Sequence, residues 1–320
     1  MTQDSEAHLA AHWLAIVNPV AGSGLAGRVW PELVEVLAEV LPHLRVAFST
    51  EAGHATELAI EAIEEGTRYL LAVGGDGTHH EVVNGIMQQT IVPSHEIYYA
   101  LLPVGTGNDW IKTHGIPSAL PAWLALLRTG QWQRQNIGRL TYQVEGEPRQ
   151  AYFTNVAGLA YDGYVVRYTA GRQARFSGKL YYLSVILRCL FQYTPQRGRL
   201  YFDGQTVEDR FYTINAGIGR YSGGGMQLVP QAQPRGEHLA FTYAGPVTRL
   251  GVLLNTYRFY NGSLGRHRLV TTTFATHIRI EAAGDGPLLL EADGEFLGET
   301  PVEIELRREA LTFLGPGGQD

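Results

Sequence analysis

Three glycines within four residues, Gly74, Gly75 and Gly77, separate an apolar run from a stretch of helical spacing, and this junction constrains the fold more than any other part of the chain. The run Tyr69 to Val73 reads as a buried strand, and Glu81 to Met87 as a helix with a Thr78–Glu81 capping box at its start. Glycines at such a junction let the backbone turn sharply and approach a ligand with no β-carbon in the way. The first amides of the helix then point at whatever is bound, which suits an anion. Asp76 stands inside this cradle. A carboxylate repels phosphate unless a cation lies between them, so the stretch calls for a nucleotide phosphate together with Mg²⁺. The plain alternative is a strand-to-helix turn that holds nothing.

Trp13 to Val17, Leu44 to Phe48, Tyr69 to Val73 and Tyr98 to Leu102 form four apolar strands. They alternate with helical segments at Arg28 to Leu41, Ala55 to Glu65, Glu81 to Met87 and Pro121 to Leu127. That alternation implies an α/β domain with a parallel, Rossmann-like sheet and ligands at the carboxyl ends of its strands. The glycines at 22–27, 74–77 and 105–107 all fall at that edge and converge on one crevice. From about Gly138 the texture changes to short apolar or aromatic strands separated by Gly and Asp-Gly turns, the pattern of an antiparallel β-sandwich. Helical insertions near 178–192 and 246–260 interrupt it.

Composition excludes several classes. A net charge of −6 argues against a general nucleic-acid binder, and the single cysteine, Cys189, rules out an internal disulfide and fits a reducing, cytoplasmic setting. Residues Met1 to Ala10 are polar and unlike a signal peptide, and the longest apolar patch, Leu180 to Leu187, is too short to span a bilayer. A lipid substrate would therefore be approached from outside the membrane. Between Asp162 and Asp203 no acid occurs, yet Arg167, Arg172, Arg175, Lys179, Arg188, Arg197 and Arg199 interleave with Tyr164, Tyr168, Phe176, Tyr181 and Tyr182. Two readings stand for this 167–199 stretch: peripheral contact with an anionic membrane, or service to a domain interface and to nucleotide phosphates.

A rival reading starts from Gly22-Ser23-Gly24-Leu25-Ala26-Gly27, which matches the dinucleotide pattern G-x-G-x-x-G, with Glu51 near the expected ribose-binding position. An oxidoreductase of that type leaves Gly74 to Thr78 unexplained. No Walker A sequence occurs. His79 and His80 are adjacent on a helix, diverge by ~100° and do not suit a shared ion, so each is expected at the helix surface.

Gly74-Gly75-Asp76-Gly77-Thr78, followed by Pro103-Val104-Gly105-Thr106-Gly107-Asn108-Asp109, resembles the diacylglycerol kinase catalytic-domain family, which includes bacterial lipid kinases and sphingosine and ceramide kinases, with NAD kinases as distant relatives. Asn18-Pro19 before Gly22 and Gly24 resembles the same family's Asn-Pro-x-x-Gly segment. The resemblance implies a two-domain plan in which the last residues return to the first domain: 1–137 with 307–320 binding the nucleotide, and 138–306 a β-sandwich for the lipid substrate. It implies an ATP-dependent lipid kinase, the nucleotide held by Asn18, Pro19, Gly22, Gly24, Thr50, Gly74, Gly75, Asp76, Gly77, Thr78, Glu81, Gly105, Thr106, Gly107 and Asn108. Asp76, Asp109 and Glu295 would complete the Mg²⁺ site. Glu295, after Asp293-Gly294, is the implied general base, with Asp76 as the other candidate; the Asp293-Gly294 pair alone reads as a type I′ hairpin turn. Family members are often dimers, and a peripheral position at the inner membrane face follows from a lipid substrate. The chain departs from the family pattern at His80, Asn136 and Arg235. Those departures keep open a catalytically impaired nucleotide-binding regulator, and NAD kinase activity is a further alternative.

Overall fold

The computed structural model describes residues 7–105, 107–169, 179–284 and 286–317, and the side chains of 179–183 also fall outside that description. Thr106 of the expected nucleotide set, and Arg172, Arg175 and Phe176 of the basic stretch, lie outside the described residues, as do the side chains of Lys179, Tyr181 and Tyr182. The chain divides into two compact units, Met1–Ile137 with Arg308–Asp320, and Gly138–Arg307.

The first unit is α/β. It runs β1 (Trp13–Val17), α1 (Ala21–Val40), β2 (Leu44–Phe48), α2 (His54–Glu64), β3 (Tyr69–Gly74), α3 (Asp76–Gln88), β4 (Tyr98–Pro103), α4 (Asp109–His114) and α5 (Leu120–Thr129). Strands β2, β1, β3 and β4 pair in that order, all parallel, and the end of the chain adds a fifth parallel strand through Thr312 opposite Tyr98. β1 is buried at every residue, as expected of a parallel strand with helices on both faces. The strand order reverses between β1 and β3, and this is the point at which an open α/β sheet leaves a crevice at its carboxyl edge.

The helix expected at 28–41 is preceded by three left-handed residues, Gly22 (φ 60°), Ser23 (φ 59°) and Gly24 (φ 79°), so the segment after β1 is a loop that feeds the helix. The capping box expected at Thr78–Glu81 does not form. Helix α3 starts five residues earlier, directly after Gly75, and Thr78 is buried in its first turn. Glu81 instead caps the neighbouring helix, its Oε2 accepting the Ala55 amide of α2 at 3.1 Å. His79 and His80 are both buried rather than on a helix surface. His79 stacks on Trp110 at 4.3 Å and its Nδ1 lies 2.8 Å from the Tyr99 hydroxyl. Aromatic neighbours from β4 and α4 make that face of α3 the core face, a tertiary fact that the spacing along α3 does not carry.

The second unit is an antiparallel sandwich. Its elements are β5 (Trp132–Val144), which begins in the first unit, β6 (Glu147–Phe153), β7 (Val156–Ala160), α6 (Tyr161–Thr169), α7 (Lys179–Gln192), β8 (Gln196–Phe202), β9 (Gln205–Phe211) and β10 (Thr213–Gly217). A small ribbon of β11 (Tyr221–Ser222) and β12 (Met226–Gln227) follows. Then come β13 (Leu239–Ala244), α8 (Arg249–Asn255), α9 (Arg258–Asn261), β14 (Val270–Ala275), β15 (His277–Ala282), β16 (Leu289–Ala292) and β17 (Glu295–Leu314). One layer runs β14-β13-β10-β7-β16 to the start of β17; the other runs β9-β8-β15 to the middle of β17, where β5 and β6 join. β17 thus serves both layers before its last residues enter the sheet of the first unit. Phe153, Phe211, Phe241, Ile278 and Ile304 form the core between the layers. Among the described residues no helix is long and apolar enough to cross a membrane.

Candidate functional site

Three loops at the carboxyl edge of the first unit's sheet meet. Asn18 at the end of β1 donates its backbone N–H to the Val73 carbonyl (3.1 Å) and its side-chain Nδ2 to the Thr78 hydroxyl (3.1 Å), which ties the β1 loop to the β3–α3 junction. The Val104 amide donates to the Gly74 carbonyl at 2.8 Å. A β-carbon on Gly22 would lie 3.4 Å from the Gly105 Cα, and one on Gly105 would lie 3.6 Å from the Gly75 Cα. These are van der Waals contacts between the loop backbones, and Gly22 is kept a glycine by its positive φ of 60°, whereas a β-carbon on Gly74 would run into the Thr78 hydroxyl.

Helix α3 opens onto this junction with Gly75 as its N-cap and no side-chain cap. The first amides of a helix have no intrahelical partner, and together with the helix dipole they favour an anion. Asp76, the first residue of α3, accepts the Asp109 amide on Oδ1 at 3.0 Å, and a β-carbon on Gly107 would sit 2.5 Å from its Oδ2. Asp109 is itself buried, its Oδ1 paired with Lys112 Nζ at 2.8 Å. Asn108 takes a left-handed conformation (φ 53°), donates Nδ2 to the Gly105 carbonyl at 3.2 Å, and has a buried Oδ1 without a hydrogen-bond partner among the described residues. A donor-bearing ligand group fits that oxygen. Thr50 follows β2, is exposed, and bonds His54 Nδ1 at 2.9 Å. Asn136 is not in a cluster of acids: its buried Oδ1 accepts the Glu309 amide at 2.9 Å and staples β5 to the end of β17. Among the described residues no three His, Cys, Asp or Glu side chains gather closely enough to hold a metal ion.

The second unit contributes a different kind of site. Asp293 and Gly294 both have positive φ (51° and 90°) between the paired residues Ala292 and Glu295, a type I′ geometry. The Asp293 carboxylate accepts the amides of Thr154, Asn155 and Val156 at 2.8, 2.9 and 3.1 Å and the Thr154 hydroxyl at 3.1 Å. That clamp fixes the turn from which Glu295 projects, exposed. Arg235 is exposed on the segment before β13.

Beside the turn lies a cavity of about 1020 Å³, counting the part open to solvent. Its walls are apolar: Val165 of α6, Ile186, Leu187 and Leu190 of α7, Met226 of β12, and Val252 and Phe259 of the α8–α9 segment. Asp162, Thr213 and Glu291 give it a polar end. The Thr213 hydroxyl bonds Asp162 Oδ2, and Glu291 Oε2 accepts the Gly294 amide at 2.9 Å. Burial raises the Asp162 carboxyl from 3.8 to about 6, moderated by its bonds from Thr213 and Asn215. Burial, and then the charge of Asp162, push Glu291 well above the carboxylate range. These two acids escaped the sequence reading. The available signal was a lone glutamate ending the run Leu288-Leu289-Leu290, where strand packing demands an apolar side chain.

An acid whose folded pKa is raised is most stabilising when protonated. The contribution of Asp162 to stability therefore falls as pH rises from about 4 through about 6 and then levels. Asp162→Asn is expected to remove that slope, raising unfolding free energy at pH 7 by on the order of 2–3 kcal/mol and leaving it unchanged near pH 3.5. Urea unfolding at both pH values checks it; equal stabilisation at the two would contradict the assignment.

Comparison with known proteins settles the family. Residues 12–140 match the diacylglycerol kinase catalytic domain, and residues 156–315 match the YegS C-terminal NAD kinase beta sandwich-like domain. The chain belongs to the diacylglycerol kinase family. A "Diacylglycerol kinase" of Mycobacterium tuberculosis is 26% identical over 94% of each chain. A Stenotrophomonas maltophilia protein named "Probable lipid kinase YegS-like" is 30% identical over 82% of this chain and 83% of its own. The crystal structure of a Bacillus anthracis diacylglycerol kinase shares the fold, with a TM-score of 0.68 at 22% identity, over 95% of this chain and 97% of that one. Membership in the diacylglycerol kinase family makes this chain a lipid kinase, a phosphotransferase, and displaces the oxidoreductase reading of Gly22 to Gly27.

Of the basic stretch 167–199, Arg197 and Arg199 are spent on Glu208 of β9, at 3.1 and 2.7 Å. Arg188 lies over the Tyr168 ring at 5.7 Å and Arg167 over Phe296 at 5.7 Å. The local charge legible in the sequence is partly neutralised by Glu208, an acid just beyond the stretch, on the strand paired with β8.

Proposed function

We propose that this lipid kinase transfers the γ-phosphate of ATP to the hydroxyl of a diacylglycerol-like or sphingoid lipid at the inner face of a membrane. The observation that carries the reading is the meeting of the Gly22, Gly75 and Gly105 loops at the open amino end of α3. Phosphates seated there receive backbone amides in place of water, and phosphoryl transfer depends on such positioning and charge neutralisation. The residues fit a divalent cation carried by the nucleotide and met by Asp76 better than one held by a cluster of protein ligands. Mg²⁺ would there neutralise charge on the β- and γ-phosphate oxygens.

The apolar cavity of the second unit suits an acyl or sphingoid chain, with its hydroxyl end toward Asp162, Thr213 and Glu291. Glu295, exposed on a clamped turn, is the candidate base that removes the acceptor's proton; Asp76 is the alternative. Incubation with labelled ATP and a panel of diacylglycerol, sphingosine, phosphatidylglycerol, a polyprenol and NAD tests the reading. Label on a lipid is the expected result. ATP binding without transfer to any acceptor would instead indicate a regulator, and label on NAD an NAD kinase.

A further inference from the structure

The short α8–α9 segment is apolar on two faces. Val252 and Phe259 line the cavity, while Leu250 (64% exposed), Leu254 (67%) and Tyr257 (54%) stand in solvent at helical i, i+4, i+7 spacing. Leu253 and Tyr260 do both, lining the cavity while 39% and 57% exposed, so the cavity opens at this stripe. A surface helix ordinarily turns polar groups outward. Exposed apolar residues are unremarkable singly, but five of the twelve large ones among the described residues fall between 250 and 260.

Charge points to the same occupant. No Asp or Glu occurs between Glu237 and Glu281; besides Arg279, which pairs with Glu281 and Glu303, that span holds Arg249, Arg258, Arg266 and Arg268. None of these four forms a salt bridge among the described residues, and Arg258 lies over the Tyr257 ring at 5.2 Å. A second copy of the chain would bring this cationic patch against its own image, which like charges oppose. An anionic bilayer complements both features, taking leucine and tyrosine side chains at its headgroup level and arginines at its phosphates.

We propose that the α8–α9 segment docks on an anionic lipid surface through Leu250, Leu254 and Tyr257, with the cavity mouth at Leu253 and Tyr260 turned toward the lipid. This rests on the lipid-kinase reading for its purpose, but its test does not use turnover. The protein is sedimented without ATP with vesicles of phosphatidylcholine alone or with about one-third phosphatidylglycerol. Wild type is expected on the anionic vesicles only. Leu250→Glu with Leu254→Glu should weaken binding at least about tenfold, with melting temperature and ATP binding unchanged. Arg249→Gln with Arg266→Gln and Arg268→Gln, which spares the apolar stripe, should weaken binding and flatten its salt dependence.

Unchanged binding in both variants overturns the proposal, as does binding lost only in Arg167→Gln with Arg188→Gln. A dimer that Leu254→Glu splits without touching vesicle binding assigns the stripe to a second copy and overturns it too. Wild type that binds vesicles yet phosphorylates no lipid supports the docking surface and sinks the kinase reading. Wild type that phosphorylates detergent-dispersed lipid and ignores vesicles sinks the docking surface alone.

Discussion

Asp76→Asn is expected to lower phosphoryl transfer by about 10³-fold while shifting the melting temperature by no more than a degree or two. The two effects separate because the structure uses the side chain's shape for folding, whereas the proposed chemistry uses its charge. Oδ1 accepts the Asp109 amide at 3.0 Å, and an asparagine can keep an oxygen there. Gly107 leaves room for a second atom of the same size against it. What disappears is the negative charge at the amino end of α3, the group that would meet a nucleotide-borne cation. A loss of that size corresponds to about 4 kcal/mol of transition-state stabilisation. Steady-state rates at saturating ATP and Mg²⁺, beside a thermal melt, give both numbers. Full turnover in Asp76→Asn would remove the cation role, and a large fall in melting temperature would assign Asp76 to the fold instead.

Much of the first unit was legible because its signals are local. β1, β3 and β4 are buried apolar runs, each glycine string falls where a strand hands over to a helix, and these three strands begin and end within a residue or two of the runs that announced them. The capping box was misread because Thr78 and Glu81 satisfy that motif's letters while serving different partners. Thr78 receives Asn18 from 60 residues earlier, and Glu81 caps a helix 26 residues earlier. No local pattern separates these cases.

The second unit hid more. Helix α6 (Tyr161–Thr169) was absent from the sequence reading because Gly163, two valines and three tyrosines weigh against helix. Gly163 is required there because α6 lies directly on β16, where a β-carbon would meet the Leu289 carbonyl. β9 does not fit the short apolar or aromatic strands expected after Gly138, because most of its residues are exposed and polar; its pairing with β8 makes it a strand. The acid end of the cavity depends on residues from α6, β10 and β16 meeting across the fold, and only the tertiary structure brings them together.

Asp293→Ala is expected to destabilise the protein by about 4 kcal/mol, a fall in melting temperature of roughly 10 °C. One carboxylate accepts three consecutive amides, Thr154, Asn155 and Val156, together with the Thr154 hydroxyl, and the Asp293 amide returns a bond to the Val156 carbonyl at 3.0 Å. Alanine would leave those amides without their acceptor, and Thr154 and Asn155 are buried, so water cannot replace every bond. Alanine is also a poor residue at φ 51°, which aspartate and asparagine tolerate better. Asp293→Asn should fall between the two, since its amide nitrogen must face backbone donors on one side. Both variants should lose turnover with stability, because the clamp holds the turn that carries Glu295. Thermal unfolding of the three proteins checks the order; a Tm for Asp293→Ala equal to wild type would show that the clamp is replaceable by solvent, and Glu295 would then owe its position to the β16–β17 pairing alone.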